Sequence, residues 1–242
     1  MAWTASIGGI LTVIFGGQWN YFNYRSKRDR KTEVGSSFLA IVEGLASENS
    51  TKRMAAAVLI RRFFDRSTEQ GAAGTPYVKE SVALIAGMLR EEQPPRLQKV
   101  LADGLRYAGN LERADLQYCI LSNVLLGKRR GDRQNVNLSE ADLFNADCTN
   151  ASMREIIAIR TVFLGAVLER AILIDADCRE ADFRDAKLAG AEFAGARIGG
   201  ARFAGAENTP EEVAQLLDGD LVGLPGAVVG TRSVSAEIGA PS

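Results

Sequence analysis

The stretch AEFAGARIGGARFAGAEN, residues 191–208, returns to alanine at every fifth position and mostly to a bulky apolar residue two places later. Neither an α-helix, at 3.6 residues per turn, nor a flat strand, whose side chains alternate, has that period. A five-residue unit suits a chain that runs extended over three residues and turns a corner over the next two. The first and third side chains then point inward and the second points outward. With Ala114 first, Asp115 second and Leu116 third, the frame runs from Gly109 to Lys128, breaks at RRGDRQN (129–135), and resumes at Val136 without a slip as far as Asn208. Four such sides close a square, so the pattern predicts a coil of twenty residues.

The charges support this frame. Outside the interruption, the 24 charged residues between 109 and 208 all avoid first and third positions. Chance would spare those positions less than about once in 10^5 trials, so the inside is expected to be apolar throughout. A second period of twenty is visible as well. Phe163, Phe183 and Phe203 are spaced by it, with Leu143 one coil earlier, which predicts rings stacked up one side of the core. Outward residues twenty apart tend to oppose in charge: Asp177 with Arg197, Asp182 with Arg202, Lys187 with Glu207, and Arg160 with both Glu140 and Glu180; Glu155 and Asp175 are alike. With coils about 4.8 Å apart, the rod should be about 23 Å long.

The pattern A(D/N)LXX, clearest at ADLQY (114), ADLFN (141), ADCTN (146), ADCRE (176) and ADFRD (181), resembles the pentapeptide-repeat family. The resemblance implies a right-handed quadrilateral β-helix of about five coils over 108–208, with the basic loop 129–135 ejected from it. One role within that family is protection of topoisomerases by an acidic rod that resembles DNA. Here the repeat carries 15 acids and 13 bases, so the dense single-sign charge that such mimicry requires is absent, and that reading is disfavoured. After the last unit, Thr209 and Glu212 form a capping box with Pro210 at the first helical position, predicting a capping helix over 209–220. Residues 221–242 read as a flexible tail.

The N-terminus follows different rules. Residues 1–24 are uncharged, with an apolar stretch from Ile7 to Phe15 prolonged by Trp19, Tyr21 and Phe22, and Arg25, Lys27, Arg28, Arg30 and Lys31 follow at once. A cleaved signal peptide has its positive charge before the apolar core, so this order predicts a single-pass anchor instead, N-terminus out, with the repeat domain on the cytoplasmic side of the membrane. Trp3 and Trp19 would mark the interfaces, and Ile7, Ile10, Leu11, Ile14 and Phe15 the apolar body. Gly8, Thr12 and Gly16 fall four apart, a small-residue stripe that lets membrane helices approach and makes self-association a hypothesis. Spanning takes roughly 17–25 residues and is reached only by including Gln18, Asn20 and Asn23. A surface-lying amphipathic helix and a helix packed in a soluble core remain as alternatives.

Between these regions, residues 25–107 read as a helical adaptor. Apolar stripes at helical spacing fall on Phe38, Ile41, Val42 and Leu45; on Met54, Ala57, Val58, Ile60 and Phe64; on Val78, Val82, Ile85 and Leu89; and on Leu97, Val100, Leu101 and Leu105. Breaks at 46–50, 67–76 and Pro94-Pro95 divide four helices, as in a small bundle or in helix pairs of the armadillo kind. The overall fold class is therefore mixed, helices followed by a β-helix solenoid.

Composition removes much enzymology. The chain has no His, which excludes the usual general base and imidazole metal ligands. Cys119, Cys148 and Cys178 are too scattered for a CxxC motif and take inward positions, where they read as core residues in a reducing compartment. No catalytic, cofactor-binding or metal-binding residue is expected. A formal net charge of −1 gives no global field toward nucleic acid, and none is expected as a partner. Lys128, Arg129, Arg130 and Arg133 form a local basic cluster that could grip an anionic partner or lipid headgroups. The resulting expectation is a membrane-tethered, non-enzymatic bacterial scaffold that binds an unidentified protein. The second reading is an oligomerising membrane effector of a stress or defence system.

Overall fold

The computed structural model describes residues 33–65, 68, 77–128, 135–211 and 213. The expected anchor over 1–24, with Trp3, Ile7, Ile10, Leu11, Ile14, Phe15, Trp19 and the stripe Gly8, Thr12, Gly16, lies outside them, as does the tail 221–242. Among the described residues no helix is long and apolar enough to cross a membrane.

Among the described residues four α-helices precede the repeat: α1 (Glu33–Leu45), α2 (Ser50–Leu59), α3 (Tyr77–Leu89) and α4 (Pro95–Ala108). Asn49 starts α2, its Oδ1 accepting the backbone N–H groups of Thr51 and Lys52, each at 3.0 Å. That satisfies two of the four donors a helix start leaves open. Helix α4 begins on Pro95, whose missing N–H costs nothing there. It ends at Gly109, where φ of 68° turns the chain into the first repeat unit.

The apolar stripes go inside with one rearrangement. Val58, expected in the core, is exposed, and Phe63 rather than Phe64 is fully buried. The cause is a 3-10 turn over Ile60–Phe63 continuing α2. At three residues per turn, Ile60 and Phe63 eclipse each other and share the inner face, which a 3.6-residue period does not foresee. Phe63 then meets Phe38 edge to face at 5.4 Å, and Phe38 stacks on Tyr77 at 4.7 Å. Helix α2 packs on α1 and α4, and α3 packs on α4.

From Gly109 the chain coils. Parallel bridges join second positions of successive coils, always twenty residues apart after the interruption, as in Val162 with Asp142 and Asp182. The four bridges that cross the interruption are 27 apart, from Asn110–Asn137 to Leu125–Ser152, so the seven residues 129–135 are added without a change of register. Each coil has four sides, here numbered from the units beginning at Gly109, Ala114, Cys119 and Val124.

Local chemistry explains the consensus. In a typical unit the first residue of the next unit donates to the third-position carbonyl, as Ala146 N–H does to Leu143 O at 3.0 Å, closing a turn over the fourth and fifth residues. Fifth residues from Arg113 to Gly205, Lys128 before the interruption excepted, take positive φ, whether glycine (Gly165, Gly190) or not (Asn145, Glu180), as a type II turn requires at its third position. Aspartate or asparagine at the second position serves the same corner: Asp142 Oδ1 accepts Phe144 N–H at 2.9 Å and Asp147 Oδ1 accepts Thr149 N–H at 3.0 Å. Such Asx turns preorganise the bend.

Third-position side chains from Leu111 to Ile198 are fully buried or nearly so. Phe163, Phe183 and Phe203 stack as expected, with centroids 4.9 Å apart at both steps and ring planes within 7° of parallel. Phe193 meets Phe183 edge to face at 5.7 Å. The interior is not wholly apolar, however. Thr161 is fully buried at a first position, where its hydroxyl donates to Leu138 O at 2.7 Å, so the polar atom is satisfied.

The helices close the first coil. Ile120 N–H, which has no preceding coil to meet, donates to Leu89 O at the end of α3 at 2.6 Å. Arg90 Nε donates to Gln117 O at 3.0 Å, and Gln98 Nε2 to Ile120 O at 3.2 Å. The helical segment therefore saturates a strand edge that would otherwise be open. At the far end Val213 is fully buried, its N–H donating to Pro210 O at 3.0 Å; Glu212, the expected capping-box partner, and 214–220 lie outside the described residues.

Candidate interaction surface

Second, fourth and fifth positions form rows of outward side chains at fixed spacing, and two of those rows are charge ladders. Along the corner after the first side, Arg113 Nε donates to Glu140 at 2.6 Å, and Arg160 lies 4.0 Å from Glu140 and 3.8 Å from Glu180. Asp177 accepts Arg179 at 2.7 Å and Arg197 at 3.3 Å. Asp182 takes Arg184 in a two-pronged contact and Arg202 as well, each at 2.8 Å. The expected pairings twenty apart thus form, except that Lys187 and Glu207 share only a backbone bridge. Glu155, like-charged with Asp175, is served by Lys128 instead, Nζ to Oε2 at 3.0 Å.

These contacts occupy the carboxylates. Hydrogen bonds from Arg179, helped by the charges of Arg179 and Arg197, hold Asp177 below the ordinary carboxyl range against the opposing effect of burial. For Asp182, burial alone would raise the pKa. Bonds from the Arg184 side chain and backbone, with the charges of Arg202 and Arg184, outweigh it and leave the group lowered. A carboxyl lowered in the folded state binds fewer protons than when unfolded, so its stabilisation is present above the unfolded value of about 3.9 and is lost as pH falls through the native value. Acidification below about pH 4 should therefore lower the melting temperature, and the double variant D177N/D182N should flatten that acid limb in thermal scans at stepped pH.

The thiols are equally unavailable. Cys119, Cys148 and Cys178 are fully buried. Burial pushes Cys119 up to about 12 and raises the other two as well. Cys119 Sγ is 3.4 Å from Ala86 O, its hydrogen-bond acceptor across the seam with α3. Among the described residues no group of His, Cys, Asp and Glu is placed to hold a metal ion.

Of the basic cluster, Lys128 is half-buried and committed to Glu155, whereas Arg129, Arg130 and Arg133 lie outside the described residues. The loop leaves from a fixed point. Gly127 presses so closely on coil two that a Cβ would run into the backbone of Arg154, while Gly127 N–H donates to Ser152 O at 2.7 Å.

One feature of the surface was missed by charge-based reading. In the coil 156–175 the second-position residues Ile157, Val162, Val167 and Ile172 are all β-branched, and Ile159, Leu164 and Ile174 occupy fourth positions. All are half-buried and face outward, so an apolar belt surrounds the rod at mid-height. The signal was present in the units IIAIR, TVFLG, AVLER and AILID, whose second positions hold hydrocarbon where neighbouring coils hold Asp, Asn, Ser, Lys or Glu.

Residues 134–157 and 161–200 match the family of pentapeptide repeats, in eight copies. No curated protein matches the chain. Among solved structures, the chain is similar to a pentapeptide repeat protein from the cyanobacterium Cyanothece 51142, at 24% identity over 40% of this chain and 63% of that one, with a TM-score of 0.37. It is also similar to HetL, involved in heterocyst differentiation regulation in the cyanobacterium Nostoc, at 28% identity over 40% of this chain and 48% of that one, with a TM-score of 0.23. A third is a thylakoid-lumen pentapeptide repeat protein of Arabidopsis thaliana, at 24% identity over 40% and 61%, with a TM-score of 0.17. The chain thus spans about half to three-fifths of the length of these structures.

Proposed function

We propose that this chain, whose residues 134–157 and 161–200 match pentapeptide repeats and whose described residues place four helices before them, is a non-catalytic scaffold that holds another protein against the outer rows of its coil. The observation that carries this reading is the fixed geometry of those rows. Side chains at second and fourth positions recur coil after coil on a backbone bonded to its neighbours above and below, with Asp177 and Asp182 paired to arginines and the three thiols sealed in the core. Preformed surfaces of this kind lose little conformational entropy when a partner binds.

In the same proposal, the apolar segment 1–24 with its basic flank tethers the scaffold to the cytoplasmic membrane, N-terminus out, with the repeat in the cytoplasm. The loop bases Arg129, Arg130 and Arg133 supply local attraction to anionic headgroups or to an acidic partner. The spacing of Gly8, Thr12 and Gly16 favours a second reading, in which the tether assembles and the protein acts as an oligomeric membrane effector.

Crosslinking in native membranes, after carbonate extraction, tests both. A membrane-retained adduct with one distinct protein is the expected result. A chain extracted by carbonate and recovered without any adduct would overturn the tethered scaffold. A ladder of self-adducts accompanied by loss of membrane potential would replace it with the effector.

A further inference from the structure

The apolar belt surrounds the rod, but only on the second side does it extend along the axis. There Leu164 is followed toward the N-terminal end by Phe144 and then Tyr118, which is 54% exposed and meets Phe144 edge to face at 5.5 Å. The outward positions of the opposite, fourth side carry no aromatic residue: Ile174 is flanked by Arg154 and Ala194, and Phe193 on that side is buried in the core.

The same side is polarised along the axis. Toward the helices, Asp142 receives Gln117 Nε2 and meets no cation among the described residues, and Asp115 is exposed with Arg90 as its ion-pair partner. Toward the C-terminal end, Arg184 and Arg202 share the single buried carboxylate of Asp182, and Arg202 remains largely exposed; Asp185 lies beyond them at the corner. The order along the side is therefore acidic and aromatic, then apolar, then rich in arginine.

We propose that this side is the contact surface for a second copy of the chain, packed antiparallel. A two-fold axis across the rod keeps each row facing its own copy and reverses only the axial direction. Hydrocarbon at Val162 and Leu164 then lies near hydrocarbon, Phe144 of each rod meets Arg184 of the other, Asp115 meets Arg202, and Asp142 meets Asp182, whose charge its own Arg184 and Arg202 already cover. Arginine against an aromatic face and near a carboxylate is a favourable exchange on both grounds. The contact is isologous and closes at two copies. Five coils at about 4.8 Å make a side only about 24 Å tall, so the interface falls in the small, reversible class. This inference is independent of the membrane tether, which lies on residues 1–24.

Disulfide trapping in the full-length chain provides the test, since the three native thiols are sealed in the core. Leu164→Cys places a thiol near the two-fold axis, and Ile174→Cys places one at the matching position on the opposite side. Under mild oxidation at rising concentration, L164C should form a covalent dimer and I174C should not. Adding R202E to L164C should reduce the dimer yield roughly fivefold or more, with an unchanged circular dichroism spectrum. Equal yields from L164C and I174C would assign any association to another part of the chain and overturn the proposal. So would the absence of an L164C dimer, or L164C adducts formed only with other proteins.

Discussion

Replacing Phe183 with alanine lowers the stability of the repeat by about 3–5 kcal/mol, the range for truncating a fully buried phenylalanine. The site sits at the upper end of that range for three reasons visible in the core. Phe183 is stacked against Phe163 on one side and Phe203 on the other, at 4.9 Å each, and Phe193 presses its edge from a third direction. Its neighbours cannot relax into the space, because each is fixed by a coil that is bonded in turn to the next. Such stacked aromatic pairs add roughly 0.5–1.5 kcal/mol beyond the area they bury. A urea titration followed by circular dichroism should show the midpoint fall with little change in slope. A midpoint within error of the parent would mean that neither the burial nor the stacking of the ring column stabilises the repeat.

Removal of the helices has a larger consequence, because it acts on solubility as well as stability. A chain beginning at Ala108 loses Leu89 O, Arg90 and Gln98, which bond Ile120 N–H and the carbonyls of Gln117 and Ile120. Water then reaches those groups and the base of the core at Leu111, Leu116 and Leu121, so the apolar burial that the helices provide is lost at about 25 cal/mol per Å². Solenoids need polar caps for this reason, and an open strand edge is a template for pairing with another chain. The shortened chain should therefore elute as large aggregates in size-exclusion chromatography with light scattering. A monodisperse monomer with intact dichroism would show that the coil closes its own end, and that the helices serve some other purpose.

The repeat was legible because its rule is local. Inward and outward positions alternate within each unit, and a charge at a first or third position would be buried without a partner, so the frame could be read from Gly109 to Asn208 before any contact was known. Phe163, Phe183 and Phe203 followed from the same counting. The corners were harder. That Asn145, Glu180 and Asp185 take positive φ, and that Asp142 and Asp147 fold back on their own turns, depends on backbone angles that composition only hints at. The 3-10 turn at Ile60–Phe63 was hidden for a similar reason: the same residues fit a continued α-helix until tertiary packing tightens the last turn. Least legible was the seam. Arg90 and Gln98 carry no sequence signal of this role, because nothing in a linear pattern says which carbonyls another segment leaves open. The surface was read through charge alone, so the hydrocarbon of coil 156–175 passed as ordinary variation.

Seven residues, 129–135, are inserted between Lys128 and Val136, and every bridge across them keeps its row. A corner that admits extra chain without disturbing the coils on either side is a natural splice point for grafting. The entropy of a longer excursion grows only about 0.6 kcal/mol with each doubling of length, and the ends are already pinned, at Gly127 on the backbone of Arg154 and at Asn137 on Gly109 O. An epitope or a small folded module could be inserted there and carried at a defined height on the rod, so that the molecule doubles as a molecular ruler.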